Sequence, residues 1–170
     1  MTDFESLIRL LAGSGTEFIL VGGAAATAHG SARLTQDLDI LYRRSPDNIA
    51  RLAACLAPHG PYLRDAPSGL PFRLDAETIR RGLNFTLMTD LGALDLFGEI
   101  TGGGRYEDLM NDTIQLELFG VTCRCLGLDR LIEVKRAAGR PRDFEAIAEL
   151  EALREERERG SQGNQTPRQG

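Results

Sequence analysis

Apolar and polar positions divide the chain into short segments of two periods. Phe4, Leu7, Ile8 and Leu11 recur at helical spacing and predict an amphipathic helix over residues 4–12, ended by Gly13-Ser14-Gly15. Phe18-Ile19-Leu20-Val21 is an apolar run of strand length. Gly22-Gly23 follows, then an alanine-rich stretch that predicts a short helix stopping near Gly30. Asp37-Leu38-Asp39-Ile40-Leu41-Tyr42 reads as a second strand, apolar except for two acids. Ser45-Pro46-Asp47 starts a helix whose inner face is Ile49, Leu52, Ala53 and Leu56.

Residues 61–71 carry three prolines and Gly69, and read as a loop. A short helix is expected over Asp75–Arg81, then strands over Asn84–Thr89 and Gly92–Phe97. Thr113–Phe119 and Val121–Leu126 predict a hairpin about Gly120. Leu128–Ala138 and Asp143 to about Arg159 are predicted helices separated by Gly139-Arg140-Pro141. The expected fold class is therefore α/β (α+β): a mixed β-sheet flanked by helices, with C-terminal helices. One domain is expected over 1–159, with its core at 17–126 and C-terminal helices at 128–159. Residues 160–170 contain no apolar side chain and are expected to be a disordered tail.

Composition narrows the class. A 170-residue chain with 42% hydrophobic and 26% charged residues has an ordinary globular balance. No apolar run is long enough to span a bilayer, and the acidic start Met1-Thr2-Asp3-Phe4-Glu5 lacks the basic region of a signal peptide. The expected location is the cytoplasm. A net charge of −5 argues against tight, sequence-independent binding along a nucleic-acid backbone, though not against a local basic patch for one RNA end. Three cysteines without a Cys-x-x-Cys spacing predict neither a disulfide framework nor zinc, and are expected to be small packing residues.

The candidate chemistry lies between Phe18 and Tyr42. In a strand, Asp37 and Asp39 project from one side and Leu38 and Ile40 from the other. Two such carboxylates repel each other without a cation, and Mg²⁺ prefers all-oxygen ligands. Gly22 and Gly23 leave backbone N–H groups approachable at the start of the next helix, where a phosphate could dock. The order strand, Gly22-Gly23, helix, Asp37-Leu38-Asp39 resembles the signature of the DNA polymerase β-like nucleotidyltransferase superfamily. The fuller string, Val21 to Ala24, His29-Gly30, Arg33, Thr35 and the two acids, resembles its small bacterial branch, which includes the AbiEii-type toxin nucleotidyltransferases.

That resemblance implies a minimal nucleotidyltransferase fold and a third acid on a later strand. Asp95, charged between Leu94 and Leu96, is the best-placed candidate, with Glu99 as the fallback. The resemblance further implies that Asp37, Asp39 and Asp95 are the catalytic and metal-binding set, with Asp95 assisting deprotonation of the acceptor hydroxyl. Gly22, Gly23, Arg33 and Lys135 are the candidate nucleotide-binding residues. Lys135 falls on the stripe of Leu128, Leu131 and Ile132, where a lysine either snorkels or reaches a phosphate. Arg140 and Arg142 are alternatives, Asp143 could cap the next helix or orient Lys135, and His29 either flanks the site or serves as a helix-terminal residue.

The implied reaction is transfer of a nucleoside monophosphate from an NTP, with one or two Mg²⁺ ions, to a hydroxyl acceptor. A tRNA end, a protein side chain and a small molecule stay open as acceptors. The branch also implies a toxin with a cognate antitoxin. Two other classes remain: a non-catalytic nucleotide-binding regulatory module of the same fold, and a Mg-dependent phosphohydrolase.

Overall fold

The computed structural model describes residues 1–163. Seven strands form one mixed sheet: β1 (Phe18–Leu20), β2 (Asp37–Tyr42), β3 (Tyr62–Leu63), β4 (Phe85–Thr89), β5 (Gly92–Phe97), β6 (Thr113–Leu118) and β7 (Val121–Leu126). Their order across the sheet is β3-β4-β5-β2-β1-β7-β6. β2 runs parallel to β5 and β1 parallel to β7, while the other neighbouring pairs are antiparallel. The helices are α1 (Phe4–Gly13), α2 (Gly22–Ala28), α3 (Pro46–Leu56), α4 (Ala76–Arg81), α5 (Tyr106–Leu109), α6 (Leu128–Ala138) and α7 (Phe144–Gly163). This is the expected α/β architecture, with a helical pair closing the chain.

Local chemistry explains most boundaries. Asp3 accepts a hydrogen bond from Ser6 N at 2.9 Å and starts α1, and Asp75 does the same for α4 through Thr78 N at 2.8 Å. Pro46 occupies the first turn of α3, where a missing N–H costs nothing. Phe119 and Gly120 both have positive φ, 52° and 79°, so β6 and β7 are joined by a two-residue turn whose twist matches the strands. Gly139, with φ of 63°, ends α6.

The expected boundaries differ in three places. The 61–71 segment is not wholly loop, because Tyr62 and Leu63 pair with Met88 and Leu87 as edge strand β3. Edge strands tolerate flanking prolines, which is why composition alone reads this stretch as irregular. The short helix α5 lacks any periodic apolar pattern in sequence. α7 continues past Arg159 to Gly163, and the rest of the expected tail, 164–170, lies outside the described residues.

The core is a continuous apolar layer. Leu38, Ile40, Leu87, Leu94 and Leu96 alternate with polar positions along β2, β4 and β5, and are fully buried. Leu7, Leu11, Leu52, Leu56 and Ile79 are fully buried from α1, α3 and α4. All three cysteines are free, with Cys123 and Cys125 buried on β7. No described helix is long and apolar enough to cross a membrane.

Asn48 is a buried polar residue that the helical pattern did not reveal. Its Oδ1 accepts from Glu17 N at 2.6 Å, and its Nδ2 donates to Glu17 O at 2.9 Å and Arg43 O at 2.8 Å. The side chain thus ties α3 to the ends of β1 and β2, the strands that position the acids. Asn48→Ala strands three backbone groups and is expected to cost about 3 kcal/mol of unfolding free energy, measured by urea denaturation. A loss below about 0.5 kcal/mol would mean that water replaces the amide without penalty.

Candidate functional site

The parallel pairing of β2 with β5 places Asp39 directly beside Asp95, and Asp37 beside Ala93. Because side chains alternate, Asp37, Asp39 and Asp95 share one face of the sheet while their neighbours fill the core. The register therefore selects Asp95 rather than Glu99 as the acid beside Asp39. Glu99 lies beyond the end of β5, half exposed, 3.8 Å from Arg105 Nε.

The double glycine allows the start of α2 to press against this acid row. Gly22 has φ of 58°, and a Cβ there would overlap the Asp39 carboxylate. A Cβ on Gly23 would come within 2.6 Å of Thr35 Oγ1. The glycines were expected to leave room for a ligand, and they do line the cleft. They also leave room for the protein's own acid and threonine. Thr35 Oγ1 in turn donates to Asp37 O at 3.1 Å, shaping the entry to β2.

Burial, followed by the Asp95 and Asp37 charges, pushes the Asp39 carboxyl up to about 7, while the Gly23 backbone pulls it the other way. Burial also raises Asp95, offset in part by the Arg64 guanidinium. Asp39 Oδ1 is buried and has no hydrogen-bond partner.

Arg64 is the residue that sequence reasoning missed. Its Nη2 donates to Asp95 Oδ1 at 2.8 Å and to Asp37 Oδ2 at 3.3 Å. Its Nη1 donates to Leu87 O at 3.3 Å. The only signal in the sequence is the apolar pair Tyr62-Leu63 before it, too short to read as a strand. Once β3 pairs with β4, Arg64 N donates to Thr86 O, and Thr86 faces Asp95. Arg64, Thr86, Asp95 and Asp39 thus form one row across four strands.

A cleft of about 710 Å³ opens above this row. Its lining includes Gly22, Gly23, Asp37, Asp39 and Asp95, and from α6 and the segment after it Lys135, Arg140, Arg142 and Asp143. Lys135 continues the buried stripe of α6 and reaches the cleft, with no carboxylate partner within ion-pair distance among the described residues. Asp143 is buried and accepts from Arg140 Nε at 2.7 Å, so it holds Arg140 rather than Lys135. Arg33 lies apart from the main cleft. It lines a smaller adjoining cavity of about 200 Å³ and pairs with Glu145 Oε2 at 3.3 Å. His29 is buried as a fastening: its Nε2 donates to Leu126 O at 2.7 Å, and its Nδ1 accepts from Arg157 Nη1 at 3.1 Å.

The donor set suits a hard divalent cation in kind, since all three groups are carboxylates and Asp39 Oδ1 lacks a partner. As arranged, no group of three His, Cys, Asp or Glu side chains among the described residues is closed around a metal position. The cation that Asp37 and Asp95 hold here is the guanidinium of Arg64.

A scan against protein-family models finds no match, and a search of curated proteins finds none. Among solved structures, the chain is similar to a Thermotoga maritima protein described as "a putative nucleotidyltransferase". The likeness has a TM-score of 0.55 at 14% sequence identity, and covers 88% of this chain and 94% of that one. At that identity the likeness carries the fold: this chain has a nucleotidyltransferase-like fold. It does not extend to the AbiEii-type branch.

Two outcomes follow from the site's packing and charge. Gly22→Ala forces both a strained φ and an overlap with Asp39, and is expected to cost about 2–3 kcal/mol in urea denaturation. An unchanged midpoint would mean that α2 can lift away freely. The second concerns pH. The folded Asp39 carboxyl binds its proton up to about pH 7, whereas the unfolded one releases it near 3.8. Between those values the native state holds more protons, so stability falls as pH rises. Wild-type protein without metal should therefore lose Tm relative to Asp39→Asn as pH rises from 4 to 7. A difference that stays flat across that window would refute the shift.

Proposed function

We propose that the protein is a Mg²⁺-dependent nucleotidyltransferase that moves a nucleoside monophosphate from an NTP to a hydroxyl acceptor. The observation that carries this reading is the placement of Asp37, Asp39 and Asp95 on one face of the adjacent strands β2 and β5, in a cleft that the Gly22-Gly23 bend and Lys135 also line. Asp37, Asp39 and Asp95 would hold the ion, which supplies positive charge against the triphosphate and the leaving oxygen. Lys135, with Arg142 beside it, faces the acids across the cleft and would bind phosphate oxygens. Arg33, already paired to Glu145, contributes at most from the adjoining cavity.

In the reaction, the acceptor oxygen attacks the α-phosphorus, and the bond to the bridging oxygen of pyrophosphate breaks. Pyrophosphate leaves with the bonding electron pair. The hydroxyl proton passes to a carboxylate oxygen of Asp95, which lines the cleft beside Asp39. The acidic cluster and net charge of −5 lower the claim of a long RNA acceptor over a protein or small molecule. A toxin role with an antitoxin partner rests on the branch resemblance alone, and location in the cytoplasm on the sequence.

A second reading is favoured by one observation. Arg64 occupies the acids, as a residue would in a nucleotide-binding module that never loads metal. Incubation with Mg²⁺, each α-labelled NTP, and pools of tRNA and protein separates the two. Label transfer with pyrophosphate release, reduced at least 100-fold in Asp39→Asn, is the expected result. NTP binding without transfer would leave the module, and release of inorganic phosphate would indicate a hydrolase.

A further inference from the structure

The placement of Arg64 raises a problem that the transferase reading does not solve. Its Nη2 is hydrogen-bonded to Asp95 Oδ1 and Asp37 Oδ2, atoms from the same two carboxylates that a divalent cation would need. A guanidinium and a dication cannot share those oxygens at contact distance without strong repulsion. One of them must leave when the other arrives.

The local architecture makes Arg64 the mobile partner. The acids sit on β2 and β5, in the middle of the sheet, with fully buried leucines on either side. Arg64 follows β3, an edge strand of two residues. The next residue, Asp65, is a non-glycine with φ of 66°, and there the chain turns away from the sheet. Pro67, Gly69 and Pro71 follow, with Leu70 exposed. Beyond its two hydrogen bonds to acids, Arg64 makes one further side-chain hydrogen bond, to Leu87 O, and one from its N–H to Thr86 O. Swinging the side chain out breaks no packed helix and no central ladder.

We propose that Arg64 is a resident counter-ion of the acid cluster that a divalent cation displaces, so that loading the site loosens residues 65–73, between Arg64 and the buried Leu74. This rests on the metal-dependent reading above and adds a residue to it. In the metal-free protein the guanidinium neutralises Asp37 and Asp95 and holds them together. On loading, those oxygens are handed to the ion, and the 65–73 segment loses its anchor at the Arg64 end while Phe72 and Leu74 keep theirs against the core. A purely structural ion pair has the opposite consequence: removing Arg64 would disorder the acids and weaken metal binding.

The test uses the full chain with Mn²⁺ alone, without nucleotide, at fixed pH. Binding is followed by electron paramagnetic resonance and calorimetry. Arg64→Met and Arg64→Gln are expected to bind Mn²⁺ about tenfold more tightly than wild type. Arg64→Lys, which keeps the charge, is expected to return most of the way to wild type. Limited proteolysis of wild type needs no variant: Mn²⁺ should speed cleavage within 65–73, whereas in Arg64→Met cleavage is already fast and independent of the ion. Equal or weaker Mn²⁺ binding in both uncharged variants overturns the displacement while leaving the transferase reading intact. So does cleavage of wild type that Mn²⁺ leaves unchanged. Absence of Mn²⁺ binding in wild type and both uncharged variants removes the metal-dependent reading itself, and the displacement with it.

Discussion

Like-charge repulsion among three carboxylates on neighbouring strands is the constraint that the rest of the site answers. Parallel pairing of β2 with β5 sets Asp39 beside Asp95, and the two-residue period of a strand puts Asp37 on the same side. Three ionised groups there would oppose the pairing that forms the sheet's centre. Two devices relieve this in the described structure. Asp39 retains its proton toward neutrality, and Arg64 supplies a positive charge shared by Asp37 and Asp95. Both follow from low exposure: Asp95 and Arg64 side chains are only 15% and 19% exposed, so screening by water is weak.

The glycine pair belongs to the same constraint. α2 must start where β1 ends, directly over the Asp39 carboxylate, and only a residue without Cβ leaves room. The close approach is one source of Asp39's burial, and hence of its raised pKa. Sequence, packing and proton affinity are thus linked through one residue position. Opposite this wall, α6 projects Lys135 from an otherwise apolar stripe, so the cleft has an acidic floor and a basic far side.

Much of this was legible in the sequence because it rests on local period. The Asp37-Leu38-Asp39 alternation, the extent of α6 and both halves of the β6–β7 hairpin follow from patterns of two or 3.6 residues. The pairing of Asp95 with Asp39 was anticipated only by fitting a strand charge to an expected cluster. Arg64 was not legible, because its role depends on a two-residue edge strand that forms only once β4 is present to pair with it. Nor was Asn48, whose three backbone partners come from segments 5 and 31 residues away in the chain. The inward role of His29 shares that cause, since its partners Leu126 and Arg157 are distant in sequence, whereas Asp143 meets Arg140 only three residues away.

Stability alone gives no account of the acid row. A buried carboxyl with one oxygen unpartnered carries a desolvation cost that an apolar or amide residue at position 39 would avoid. An arginine reaching across two strands to pair two further acids recovers part of the Coulomb energy, but buried ion pairs seldom exceed what well-packed apolar side chains would give. The local choices therefore conflict with the surrounding sheet, whose other face is mainly apolar. Such conflicts concentrate where a protein binds or reacts. On the proposed reading, a ligand of positive charge would reverse the sign of each term: it would ionise Asp39, partner Oδ1 and release Arg64. The same three residues are a burden to the isolated chain, and the proposed loaded site would give the fold a reason to bring them together.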